Sequence, residues 1–453
     1  LPSQGPGPLP GVNMAQLARL PLSKVHAFVA ALKFPAPVDE AMQMLLAEIG
    51  ARLKYLTEVG LGYLTLDRQS RTLSGGEVQR INLTTALGTS LTNALFVLDE
   101  PSIGLHARDM QRIIAVLRRL RDAGNSLLVV EHDEQVIRAA DRVLDMGPGP
   151  GAAGGQVVAF GTPAQIARSR TSITGRYLRG AEQVVRADRV PRTAPGNGVL
   201  NVRGASANNL RSIDVSIPLG RMVCVTGVSG SGKSTLVEDV IHRALLKHLG
   251  RATEAPGEHC GIDGVQHIAD VVLVNQSAIG KSARSNPASY VGAMDAIRKL
   301  FASVPLARER GYTAAHFSFN SGNGRCPMCG GTGFEHVEMQ FLSDVYLRCP
   351  DCNGDRYRSE ILDVKLLGSV PGGQARSIAE VLLLTVREAA QFFAESPQLL
   401  RAIEPLQAVG LGYLRLGQPV PTLSGGEAQR LKLAGRLAKR PSTSPSPGKD
   451  QRT

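Results

Sequence analysis

Met222–Thr235 reads MVCVTGVSGSGKST. An apolar run enters a glycine-rich loop matching GxxxxGK[ST], and LVEDVIHRALLKHL comes next with helical amphipathic spacing. That order of strand, loop and helix is the context in which such a loop cradles phosphates. Gly227, Gly230 and Gly232 let the backbone wrap an anion, and the loop amides and helix N-terminus supply positive potential. Lys233 is placed to reach the terminal phosphates and Ser234, followed by Thr235, to ligate magnesium. The reading is a nucleotide site in an α/β fold.

Other apolar runs support that class. Ala94–Leu98, Ser126–Val130 and Asp270–Val274, together with Met222–Thr226, look like buried parallel strands,. Polar groups gather after each run, where open α/β sheets hold their ligands. LFVLDEPSIGL, from Leu95, would deliver Asp99 for magnesium and Glu100 to orient or polarise a water. SLLVVEHD brings His132 to the end of another strand; a histidine there serves structure or catalysis, and the Asp-Glu strand upstream favours catalysis. Gln276, after the fourth run, is placed to sense the terminal phosphate or its water. Ala107–Leu120 has a helical pattern, which favours α/β over all-β.

A long-range repeat organises the chain. LSGGEVQR at Leu73 returns as LSGGEAQR at Leu423, each preceded by LGYL, and Ser74 to Ser424 and Tyr63 to Tyr413 are both 350 residues apart. That interval exceeds solenoid periods and indicates a duplicated domain. Residues 1–170 are expected to belong to a first lobe, 171–198 to a linker and 199–440 to a second lobe. Residues 441–453, rich in Pro and Ser, are expected to be disordered.

Among the 453 residues, 43% are hydrophobic and no run approaches a membrane span, so a cytoplasmic, membrane-free protein of two or three domains is expected,. The net charge of +12 suits a polyanion partner. Residues 168–192 hold seven arginines against Glu182 and Asp188, and Arg430, Lys432, Arg436, Lys439 and Arg440 succeed one another with no acid between them. Both stretches read equally as solvated faces or as phosphate contacts.

Six cysteines are too few for a disulfide scaffold, and four form two close pairs,. Cys326, Cys329, Cys349 and Cys352 read CxxC, nineteen residues, CxxC, the spacing of a tetrahedral structural zinc with a hairpin between the pairs. A redox dithiol is the alternative, though one pair would suffice for it. Residues 284–360 hold nine basic and eight acidic side chains, so nucleic-acid contact there would be local, through Arg325, Arg348, Arg356 or Arg358.

LSGGE beside such a phosphate loop is the signature of the ABC ATPase superfamily. In that family the signature serine and glycines grip the terminal phosphate held by the opposite lobe. The resemblance implies that Ser74, Gly75 and Gly76 face the loop of Lys233, and that Ser424, Gly425 and Gly426 face another loop. The inserted cysteine module, with NQSAIGKSARSNPASYVG, FSFNSGNGRCPMCGGTG and VVEHDEQVIRAADRVLDMGPGPGAAGGQVVAFGTP, resembles the UvrA family of bacterial nucleotide excision repair. This resemblance implies an α/β fold of two incomplete ABC-type lobes, with a helical signature domain and an inserted zinc-binding hairpin. ATP, Mg2+ and Zn2+ would be its cofactors. A homodimer would bind damaged double-stranded DNA, with the zinc hairpin approaching the DNA, and pass the site to UvrB. Against the family pattern, a first phosphate loop, the UvrB-binding region and a second Asp-Glu strand are missing. That leaves a second reading open, a non-hydrolysing ATP- and DNA-binding module. A transporter ATPase is disfavoured by the zinc insertion.

Overall fold

The computed structural model describes residues 12–32, 40–73, 75–88, 92–182, 198–274, 284–337, 345–369 and 373–438. Residues group into two compact units, Leu1–Pro148 with Gln156–Leu273, and Gly149–Gly155 with Val274–Thr453. The expected tail at 441–453 and most of the expected linker at 171–198 lie outside the described residues.

In the first unit, helix Ala107–Asp122 sets the pattern. Met110, Ile113, Ile114, Leu117 and Leu120 recur at helical spacing and are buried,. His106 caps the helix, its ring accepting the Arg108 N–H, and Arg119 and Arg121 sit in the last turn, where cations suit the helix dipole. Met110, Ile113, Ile114 and Leu117 pack with Leu83 of helix Gly75–Gly88 and Val136 of helix Glu134–Ala139. Beside this layer, β1 (Leu95–Asp99) and β2 (Ser126–Val130) pair in parallel, Asp99 opposite Val130. A hairpin of β3 (Val143–Gly147) and β4 (Gln156–Gly161) comes after them. Three antiparallel strands, β5 (Val199–Ala205), β6 (Ile213–Pro218) and β7 (Gly261–Asp263), then form a sheet in the order β6-β5-β7. Leu200 and Val202 of β5 pack on Leu236, Val240 and Ile241 of the segment after the phosphate loop, which is wound as π-helix over Thr235–His242 before α-helix Arg243–His248.

Two expected strands are not formed. Met222–Thr226 and the described Asp270–Val274 run outside any ladder, and Met222, Val223, Val225 and Val272 are exposed. A strand forms only where a partner completes its ladder, and none of the described residues pairs with these runs. β1 and β2, expected to be buried, keep one face bare, with Leu95, Val97, Leu128 and Val130 exposed, since the described helices cover only the other side,.

The second unit has one large core. Helices Ala293–Ser303, Ile378–Leu383, Val386–Phe392, Pro397–Ala408 and Gly425–Ala438 enclose Ile297, Phe301, Phe317, Phe319, Ile378, Leu399 and Leu431. Capping boxes start two of these helices: Ser377 with Glu380, and Thr385 with Glu388,. Between the cysteine pairs, β8 (Phe334–Val337) and β9 (Val345–Arg348) pair antiparallel, the hairpin expected there. A short ladder of β10 (Lys365–Leu366) and β11 (Arg376–Ser377) completes the unit. Among the described residues, no helix is long and apolar enough to cross a membrane.

Candidate nucleotide site and cysteine centre

The phosphate loop turns at glycines in the left-handed range, Gly230 at φ +75° and Gly232 at φ +93°. Gly230 is constrained twice, because a Cβ there would lie 2.5 Å from Cζ of Tyr63. Lys233 Nζ donates to Gly227 O at 2.8 Å and to Val228 O at 2.9 Å, two carbonyls of its own loop. Thr235 Oγ1 accepts from Asn208 Nδ2 at 3.3 Å.

Residues around the first signature hold this loop. Arg80 Nη2 donates to Ser229 Oγ at 2.6 Å, and the Ser229 N–H donates to Asp109 Oδ2 at 3.3 Å. Tyr63, from the LGYL turn, donates its hydroxyl to Glu77. Burial pushes the Tyr63 phenol above its ordinary range and the Glu77 carboxylate adds to the shift, so the hydroxyl stays a donor,. Gly76 fits closely beneath, since a Cβ would come within 2.9 Å of Ile103 O, in the turn just beyond Glu100. Helix Gly75–Gly88 therefore starts against both the phosphate loop and the Asp-Glu turn.

In the second unit, Cys326, Cys329, Cys349 and Cys352 bring their sulfurs within 4.8 Å of one another. Cys326 and Cys349 are 3.9 Å apart, and Cys329 and Cys352 3.7 Å. A tetrahedron with metal–sulfur bonds of about 2.3 Å has edges of about 3.8 Å, so the donor set fits zinc. The knuckle backbone is close-packed: Gly331, at φ +88°, would place a Cβ 2.0 Å from Phe319 O. Burial pushes the Cys326 and Cys352 thiols up. At Cys329 burial acts the same way but is outweighed by the N–H groups of Gly333 and Gly331, which bring it down to about 7. The remaining protons would leave on ligation. Two CxxC pairs closing on one centre favour a metal over a redox dithiol.

The sequence is 50% identical over 430 residues to UvrABC system protein A of Methanothermobacter thermautotrophicus, covering 95% of this chain and 44% of that protein. It is 51% identical over 434 residues to the protein of the same name from Thermus thermophilus, with coverages of 95% and 44%. The crystal structure of UvrA2 from Deinococcus radiodurans superposes with a TM-score of 0.85 at 44% identity, over 94% of this chain and 52% of that one. No protein-family model matches. The chain belongs to the UvrA family. Its fold is the α/β ABC ATPase fold. The chain spans a little under half the length of the curated relatives it matches.

In this UvrA-family chain Asp99 ends β1, and Glu100 comes next with its backbone in the left-handed region at φ +45°. His132 Nε2 lies 3.6 Å from Glu100 Oε1, so the ends of the two parallel strands bring the pair together. Glu131, which sequence reasoning passed over, binds both strand ends: its carboxylate accepts from the N–H of Ser102 at 2.8 Å, of His132 at 2.8 Å and of Asp133 at 3.1 Å. The signal was an acid directly before His132 in the EHD run. Ser74 and Gln276 lie outside the described residues.

The second signature repeats the tyrosine–glutamate bond of the first. Ser424 and Glu427 form a capping box, with bonds of 2.9 and 3.3 Å. Tyr413 donates to Glu427 Oε1 at 2.6 Å. Gly425 and Gly426 face open space, where a Cβ would meet nothing within 4 Å.

One expected nucleic-acid contact is overturned. Arg356 is 5% exposed, lies over the Phe319 ring at 5.1 Å and donates to Gly417 O at 3.1 Å. Its guanidinium ties the cysteine module to the turn before the second signature and is out of reach of DNA. Arg348 is exposed, as a surface contact would require.

Proposed function

We propose that this chain carries ATP-binding and DNA-binding elements of a damage-recognition subunit in nucleotide excision repair. The observation that carries the reading is the docking of the Lys233 loop by Arg80 of the first signature, on Ser229, and by Tyr63 of the LGYL turn, on Gly230. Such an arrangement suits a composite site in which the loop holds the phosphates and Ser74, Gly75 and Gly76 close on the terminal one.

In this reading Gly227, Gly230, Gly232 and Lys233 would bind the phosphates and Ser234 and Thr235 the magnesium, while Asp99 would be the magnesium carboxylate of the first lobe. ATP with its metal supplies a phosphoryl group for transfer to water. Glu100, with His132 beside it, would orient that water, and Gln276 would sense the terminal phosphate. Ser424, Gly425 and Gly426 serve a second phosphate loop. Cys326, Cys329, Cys349 and Cys352 hold one structural zinc. Partners would be damaged double-stranded DNA and a second copy of the protein, with UvrB implied by the family likeness alone.

Steady-state ATP turnover by the purified chain, with and without damaged duplex DNA and beside Lys233→Ala, tests the proposal. DNA-modulated turnover that the variant lacks supports it. Tight ATP binding with no turnover would reduce the chain to a nucleotide-gated binding module.

A further inference from the structure

Arg80 is 1% exposed yet lies 149 positions from the hydroxyl it binds. Its other donors are taken by main-chain carbonyls: Nε by Gly76 O at 3.1 Å, and Nη1 by Val59 O at 3.3 Å and Gly60 O at 3.4 Å. These carbonyls fix the guanidinium plane and aim Nη2 outward. A rigid fork of this kind reads its partner's position, which a lysine cannot do.

Arg430 repeats the frame. Nε donates to Gly426 O at 3.3 Å and Nη1 to Gly410 O at 3.4 Å, the carbonyls equivalent to Gly76 and Gly60. Nη1 lacks a counterpart of the Val59 bond, and Nη2 donates at 3.4 Å to the Tyr413 hydroxyl instead of to a loop serine. The frame is thus assembled by the signature helix and the LGYL turn alone, before any loop is seated, and the seated loop takes the remaining donor.

We propose that Arg80 and Tyr63, braced by Glu77, are positioning residues for the phosphate loop: Arg80 fixes it through the Ser229 hydroxyl, and Tyr63 through the bare Cα of Gly230. Asp109, itself buried, completes the hold by accepting the Ser229 N–H. The loop is thereby preorganised against the signature helix, and nucleotide affinity depends on residues that touch no phosphate. This inference rests on the proposed ATP site.

The test compares the full chain with Ser229→Ala, Arg80→Lys and the double variant, reading affinity for a fluorescent ATP analogue, thermal midpoint, and hydrogen exchange of the Ser229–Gly232 amides without nucleotide. Ser229→Ala keeps all three carbonyl bonds of Arg80, so it separates positioning from folding. Expected are about tenfold weaker binding and faster loop exchange in each single variant, a cooperative unfolding transition kept in Ser229→Ala, and a double variant no weaker than either single. Unchanged affinity and exchange in Ser229→Ala, or additive losses in the double variant, would overturn the inference. If the unmodified chain binds no nucleotide, the ATP reading fails, while loop exchange still decides the positioning role.

Discussion

His132 Nε2 and Glu100 Oε1 stand 3.6 Å apart, each one or two residues beyond the end of a parallel strand. The register that sets Asp99 opposite Val130 makes them neighbours. Glu100 adopts φ +45°, a backbone region that costs an ordinary residue on the order of 1 kcal/mol and that clusters at functional sites.

Glu100→Gln keeps the shape and removes the charge. Nucleotide affinity is expected to stay within a factor of about two, while turnover falls about 10²- to 10⁴-fold, the range of general-base loss. A variant that hydrolyses ATP at the parent rate removes Glu100 from that role.

Lys233→Ala deletes the ammonium that now bridges Gly227 O and Val228 O. Binding of labelled ATP is expected to vanish at concentrations that saturate the parent, with the circular dichroism spectrum preserved. Retained affinity would sink the site assignment.

Gly230→Ala meets two penalties, a φ of +75° and a Cβ 2.5 Å from the Tyr63 ring. The expected loss is about 1–3 kcal/mol, read by thermal unfolding. Adding Tyr63→Ala should relieve the steric part and leave the backbone part, so the double variant is expected to be less destabilised than the two losses summed.

About one zinc per chain is expected, removable by a strong chelator only with loss of structure around Phe319 and Tyr357, which pack in the main core beside the cysteines. Tyrosine fluorescence tracks the change, as the chain has no tryptophan. Four titratable thiols with no metal in the native protein would contradict it.

The capping carboxylates give a pH signature. Hydrogen bonds from the Ser377 and Thr385 main chain hold Glu380 and Glu388 below the usual carboxylate range. Their folded values are depressed, so their contribution is complete above the unfolded glutamate range and is lost as pH falls through the folded values. Acid titration of ellipticity should therefore show a flatter transition in Glu380→Gln/Glu388→Gln, and an unchanged profile would assign the acid transition to other groups.

Local patterns were legible. The phosphate loop, β1, β2 and the cysteine hairpin each declare themselves within about forty residues, because glycine placement, apolar runs and ligand spacing are short-range signals. What escaped was non-local. Arg80 in an SGGE helix and Asp109 in an amphipathic one look like solvated charges until the chain brings a loop to them from more than a hundred positions away. Arg356 looked exposed because a charge beside a CxxC pair usually is; its burial comes from Phe319 and Gly417, which no local pattern connects. Met222–Thr226 failed as a strand because apolar composition supplies a strand's side chains and not its ladder.

The bare face of β1 and β2 carries a practical consequence in the test tube. Leu95, Val97, Leu128 and Val130 expose half or more of their surface, side by side on two paired strands. Such a face binds hydrophobic dyes and other copies of itself as readily as it would bind a folded neighbour. These four aliphatic side chains are therefore expected to promote self-association, and arginine or a mild detergent in the buffer should reduce it.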